Sequence, residues 1–298
     1  MPQSALASHS DGLDNPGMTK TLLSIGHGYS AQALADHLLP LGWHIIGTTR
    51  SADRAAKLEG AGIEPLIWPG NPLPLARATH LLTSVAPGAE GDPVLVAHSA
   101  DIAAATHLNW VGYLSTVGVY GDHAGAWVDE DTALTPGTAR GRARVAAEAA
   151  WQTMAPARLH ILRLAGIYGP GRGPFTKLKR GTAQRIIKPG QVFSRIHRDD
   201  IGTALLACLQ SERAGAIYNL CDDEPAPPQD VITYAAELLG IEPPPEVPFD
   251  KADLSPMARS FYSESKRVHN DRIKRELGWH PRYPDYRSGL RAILTAEG

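Results

Sequence analysis

Cysteine is scarce: Cys208 and Cys221 are the only two among 298 residues, and both sit in apolar segments. Two are too few for a disulfide framework, so both read as small core residues. Long apolar runs are missing as well. None reaches bilayer-spanning length, so no membrane partner is expected. Charge of one sign is not in excess, because 29 basic residues meet 31 acidic ones for a net charge of −2. Without a basic stripe, no nucleic-acid partner is expected. Internal repeats are lacking, and no third ligand stands at metal-site spacing beside His197 and either Asp199 or Asp200, so no metal is expected. Residues 1–17, MPQSALASHSDGLDNPG, lack the basic start and apolar stretch of a signal peptide. They read as a disordered extension ahead of a soluble, cytoplasmic protein.

What is present is enough apolar content, 43%, for one large core or two modest ones. Residues 20–50, KTLLSIGHGYSAQALADHLLPLGWHIIGTTR, read as a strand, a glycine turn, a helix and a second strand. Gly26, Gly28 and Ala31 stand in the spacing G-x-G-x-x-A. Gly26 permits a tight turn, Gly28 lets a pyrophosphate approach the backbone, and Ala31 lets the helix pack closely on the strand. The helix start then offers free N–H groups to an anion. The context predicts a dinucleotide site built from Gly26, His27, Gly28, Tyr29 and Ser30. The alternative is an ordinary strand-to-helix turn.

The end of the second strand bears on which dinucleotide. An NAD site places Asp or Glu about 20 residues on, where it bonds the ribose hydroxyls. This chain has Thr48, Thr49, Arg50 and Ser51 there. A guanidinium accepts no hydrogen bond but matches a 2′-phosphate. Thr49, Arg50 and Ser51 therefore favour NADP over NAD, with Arg54 as a second cation. Arg50 also reads as a solvated surface arginine. Ser84 and Val85, after the fourth strand, complete the expected cofactor site.

Strands and helices alternate through the first half, which predicts an α/β fold with a doubly wound parallel sheet of the Rossmann type. Helices are expected at 52–61, 93–107 and 138–154. Strands are expected at 63–68, 80–84, 110–115 and 159–164. The second half is looped and proline-rich, as in EPAPP (224–228) and EPPPEVP (242–248), with helices near 200–210, 229–239 and 286–294. That composition suits a smaller C-terminal substrate lobe.

Several motifs carry a family resemblance: YLSTVGVYGD (113–122), RLAGIYGPGR (163–172), FSRIHRDDIGTAL (193–205), IYNLCDDEPAP (217–227) and SKRVHNDRIKRELGWHP (265–281). From Met18 onward the chain resembles the extended short-chain dehydrogenase/reductase family, the epimerase and dehydratase type. The resemblance implies that residues 18–168 and 193–222 form the NADP-binding Rossmann domain. Residues 169–192 and 223–298 would form the substrate lobe. It also implies a homodimer through the helices at 93–107 and 138–154.

That family's chemistry rests on Ser/Thr, Tyr and Lys. Thr116 stands where the family has its Ser/Thr, although a strand-end threonine serving the backbone is the alternative. The Tyr-x-x-x-Lys pair is missing. In PGTARGRARVAAEAAW (136–151), Glu148 matches the acidic residue after the Lys, so Arg144 and Arg140 stand in place of Lys and Tyr. Four residues apart on a helix, they share a face. Arginine is no base near neutral pH, but it polarises a carbonyl or holds a phosphate or carboxylate. A solvated basic face with Arg142 is the alternative. The pattern resembles the atypical subgroup with a degraded tetrad, in which Asp92 either stands for the usual Asn or caps a helix. Tyr120, Tyr168 and His197 are the remaining proton-transfer candidates. The expected activity is hydride transfer by an NAD(P)-dependent oxidoreductase or epimerase on a small polar, carbohydrate-like substrate. The alternative is an inactive NADP-binding sensor or interaction protein.

Overall fold

The computed structural model describes residues 20–154, 158–213 and 215–297. The extension expected at residues 1–17 lies outside the described residues. Seven strands form the main sheet: β1 (Thr21–Ile25), β2 (His44–Thr49), β3 (Glu64–Ile67), β4 (His80–Thr83), β5 (Trp110–Thr116), β6 (Leu159–Leu164) and β7 (Ala216–Leu220). Their spatial order is β7-β6-β5-β4-β1-β2-β3, and each neighbouring pair is parallel. The order reverses between β1 and β4. In open parallel sheets, the crevice beyond the strand ends at such a reversal is where ligands bind.

Ten helices accompany the sheet: α1 (Tyr29–Leu38), α2 (Ala52–Gly60), α3 (Pro93–Ala104), α4 (Ala139–Met154), α5 (Pro174–Lys179), α6 (Arg198–Gln210), α7 (Pro228–Leu238), α8 (Pro256–Phe261), α9 (Asp271–Leu277) and α10 (Tyr286–Glu297). Successive strand residues point to opposite faces. Leu22 and Ile45 join Leu34, Leu38, Leu58 and Leu205 in one core, under α1, α2 and α6. Leu23 and Ile46 join Val94, Ile102, Ala147 and Trp151 in the other, under α3 and α4. Strands such as TLLSI are buried along their whole length and mostly apolar because both faces are covered. Cys208 and Cys221 are buried free thiols. No helix among the described residues is long and apolar enough to cross a membrane.

One helix expectation shifts. The helix expected at 93–107 stops at Ala104 and is broken at His98, where φ is −138°. There the His98 ring accepts a hydrogen bond from Trp68 Nε1 at 3.1 Å. Tyr168, Phe175, Leu178, Ala235 and Leu290 form a separate apolar cluster. Ile273 and Trp279 pack into the sheet core with Leu205 and Tyr218. Trp279 Nε1 donates to Thr203 Oγ1 at 2.9 Å, and the Tyr218 hydroxyl donates to Glu276 at 3.0 Å. The apolar side chains of segment 271–279 thus find their cover on α6 and β7.

Candidate cofactor and substrate cleft

The glycine turn after β1 sits at the point of strand reversal. Gly26 has φ +76°, and a Cβ there would stand 2.9 Å from Val85 Cγ2. Its amide donates to Thr48 Oγ1 at 2.7 Å, and Ser84 Oγ donates to its carbonyl. Residues from β2 and from the end of β4 thus hold the turn from both sides. Gly28 is the N-cap of α1, extended and without a side-chain cap, so the first N–H groups of the helix carry no side-chain acceptor. A Cβ on Gly28 would enter space bounded at 4.0 Å by Arg54 Nη2. Ala31 is buried against the sheet, as close packing requires. An open, uncapped helix start beside the Arg54 guanidinium of α2 suits a dinucleotide phosphate.

The other expected cofactor residues divide. Ser30 and Ser84 line the cleft. The His27 ring does not: it is buried, held by Ser24 Oγ at 2.9 Å and Gln32 Oε1 at 3.2 Å, and burial pushes its pKa down. Only the backbone of His27 remains near the turn. The Tyr29 hydroxyl donates to Pro170 O at 2.9 Å and ties α1 to the loop after β6. Val85 packs on Gly26. Thr49 Oγ1 accepts from Ser51 N at 3.5 Å, and Ser51 Oγ caps α2. Arg50 is exposed at the end of β2, and its guanidinium has no partner among the described residues.

Beyond the turn opens a cleft of about 1180 Å³ between sheet and lobe. Thr116, Arg140, Arg144 and Tyr168 all line it. Thr116 ends β5, and its Oγ1 accepts from Gly118 N at 3.1 Å, capping the turn Val117–Tyr120. Arg144 Nη1 donates to Tyr113 OH at 2.8 Å and to Leu114 O at 2.9 Å. Arg140 reaches across to the lobe, donating to Ser260 Oγ at 2.9 Å and lying over the Phe261 ring. Both arginines therefore line the cleft, Arg144 half-buried and Arg140 at its exposed rim. The Tyr168 hydroxyl leans toward Asp285 O at 3.5 Å, and burial with nearby Asp222 and Asp200 pushes its pKa far up. That hydroxyl is no ready acid or base.

Tyr120 and His197 stand apart from the cleft. The Tyr120 hydroxyl donates to Asn219 Oδ1 at 2.7 Å and accepts from Arg163 Nη1 at 2.9 Å, wholly inside the core. Burial pushes its pKa up to about 12. His197 caps α6, its Nδ1 accepting from Asp199 N at 3.2 Å, and burial holds it down at about 4. A ring kept neutral and used as a cap is structural. Asp92 caps α3 through Val94 N and Leu95 N, and its other oxygen accepts from Trp151 Nε1 at 3.1 Å.

The chain is 30% identical over 284 residues to Protein YeeZ of Escherichia coli, covering 89% of this chain and 97% of that protein. The chain belongs to the YeeZ family. A functionally unknown conserved protein from Silicibacter pomeroyi, 61% identical, superposes with a TM-score of 0.90 over 93% of this chain and 99% of that one. UDP-glucuronic acid 4-epimerase from Bacillus cereus, solved in complex with NAD, superposes with a TM-score of 0.73 at 16% identity. That match covers 93% of this chain and 99% of the epimerase, so the YeeZ-family chain has the epimerase fold. A 3-diazoavenalumate denitrifying reductase from Streptomyces is 33% identical over 143 residues, 44% of this chain and 45% of the reductase. No protein-family model matches the chain.

The cleft of this YeeZ-family protein also holds residues that sequence reasoning missed. Lys266 donates to Glu264 Oε2 at 2.7 Å and to Gly121 O, just past the turn that Thr116 caps. Arg195 lines the lobe end. Lys266 and Arg195 lie inside quoted motifs, but nothing in their spacing marked them, because the fold alone brings them beside Thr116 and Tyr168.

Proposed function

We propose that this YeeZ-family protein is an NAD(P)-dependent oxidoreductase or epimerase-like enzyme that prefers NADP and acts on a small polar substrate by hydride transfer. One observation carries the reading. Ser30, in the uncapped first turn of α1, and Ser84, which holds the glycine turn, share a cleft with Thr116, Arg140 and Arg144. A nicotinamide dinucleotide would supply or accept the hydride there. Gly26, Gly28 and Ser30 would hold its phosphates. Arg50, aided by Arg54, would meet the 2′-phosphate. Thr116 would bond the reacting oxygen, and Arg140 would stabilise charge developing on it. The 33% identity to a reductase over 143 residues supports a redox role.

A second reading, a non-catalytic NADP-binding module, is favoured by Arg140 and Arg144 standing where the family resemblance puts Tyr and Lys. Paired titrations of NADPH and NADH with wild type and Arg50→Ala test the cofactor reading. NADPH is expected to bind more tightly, and Arg50→Ala to weaken NADPH alone by about tenfold or more, the worth of a charge-assisted hydrogen bond. Equal affinities would remove Arg50 from 2′-phosphate recognition. A bound NADPH that no carbonyl compound oxidises would favour the second reading.

A further inference from the structure

The lobe end of the cleft contains a cation with part of its hydrogen-bonding capacity unused. Arg195 Nη1 donates to Phe193 O at 2.8 Å and Ala226 O at 3.0 Å, which fixes the guanidinium plane. Its Nε and Nη2 have no hydrogen-bond partner among the described residues. Neither is among the enclosed unpaired atoms, and Arg195 lines the cleft, so both donors open into it. Nε–H and Nη2–H side by side match the two oxygens of a carboxylate.

No protein carboxylate fills that role. Asp222 is the acid whose field Arg195 feels most, yet its buried carboxyl forms no ion pair with the Arg195 guanidinium. Burial pushes the Asp222 carboxyl up, which weakens it as a counter-ion. Of the acids lining the cleft, Glu264 is paired with Lys266 at 2.7 Å and Asp253 is exposed. A desolvated cation without a paired anion is costly, and a ligand oxyanion removes that cost. The surrounding walls are apolar and aromatic: Tyr168, Phe193, Tyr262, Tyr286 and Ile186.

We propose that Arg195 is the anchor of a carboxylate subsite, so that the substrate bears a carboxylate on an aromatic or apolar body. This rests on the cleft being the substrate site of the proposed function and narrows what it takes. The probe is benzoate, with benzamide as its uncharged counterpart, titrated calorimetrically against wild type, Arg195→Met and Arg195→Lys. Benzoate should bind wild type at least about tenfold more tightly than benzamide, and Arg195→Met should lose that preference. Arg195→Lys should retain part of it, having charge without the fork. Equal binding of the two probes, or unchanged benzoate binding in Arg195→Met, overturns the proposal. Arg195→Met also frees two backbone carbonyls, so NADPH titration of each variant reports whether the fold survives. If the Met variant does not fold, a wild-type crystal with 4-bromobenzoate decides. A bromine signal among Tyr262, Phe193 and Tyr286 supports the subsite, and its absence there overturns it. NADPH binding without benzoate binding sinks only the subsite, whereas failure to bind NADPH sinks the proposed function.

Discussion

Arg163 and Glu148 form an ion pair wholly inside the protein. Arg163 Nη2 donates to Glu148 Oε2 at 2.8 Å, with side chains only 3% and 4% exposed. Ser115 Oγ donates to the same carboxylate, and Arg163 extends the network to Tyr120, then Asn219, whose amide donates to Glu130 at 2.8 Å. The network joins the ends of β5, β6 and β7 behind Thr116. Removing one partner strands a buried charge. Glu148→Ala should lower unfolding stability by about 3–5 kcal/mol. Urea midpoints measure this, and a loss under 1 kcal/mol would mean water or another group compensates Arg163. Part of this was legible in the sequence. Arg163 interrupts the otherwise apolar strand LHILRL, and such a residue demands a buried acid. Glu148 instead drew attention as a family marker, and its actual partner emerges only from the fold. The same limit applies to Tyr120. Its place after the fifth strand suggested the cleft, yet the chain turns it inward, where Asn219 and Arg163 satisfy its hydroxyl.

At the scale of elements, periodicity and capping residues located the main helices well. Asp92 does cap α3 and Gly28 begins α1, while Ser51, expected as a cofactor hydroxyl, caps α2. α5 and α8, each six residues long, passed unnoticed because so few turns give no period to read. How helices meet was also hidden. α1 and α6 pack side by side on one face of the sheet, and a Cβ on Gly202 would lie 2.4 Å from Ala33 O. The obstacle is backbone, which cannot rotate aside. Gly202→Ala should therefore push α6 from α1 and cost about 1–3 kcal/mol, despite alanine's better helix propensity. A lower thermal midpoint with unchanged helical circular dichroism is expected. A stabilised Gly202→Ala would show that the helices have room to slide.

Over the whole molecule, buried titratable groups oppose one another in how pH acts on stability. Burial holds the His160 imidazole down at about 4, with Nδ1 accepting from Trp110 Nε1 at 3.1 Å. Below pH 6.5 the unfolded chain takes up a proton that folded His160 refuses, so stability is lost as pH falls from 6.5 toward 4. His27 and His197 act in the same direction. The carboxyls pull the other way. Burial raises Asp200 to about 6 and pushes Asp222 well above the usual carboxylate range. Above pH 3.8 the unfolded chain releases protons that these groups keep, so their contribution is present in acid and lost as pH rises. Two isosteric variants separate the sets. His160→Gln retains an acceptor for Trp110 and should gain stability relative to wild type in acid, on the order of 2 kcal/mol at pH 5. Asp222→Asn keeps the shape and removes the titrating group, and should gain relative to wild type as pH rises above 3.8. Urea midpoints from pH 4 to 7.5 should therefore diverge in opposite directions for the two variants. Parallel curves would mean these groups titrate alike in folded and unfolded chains, and the interior would then be wetter than its packing implies.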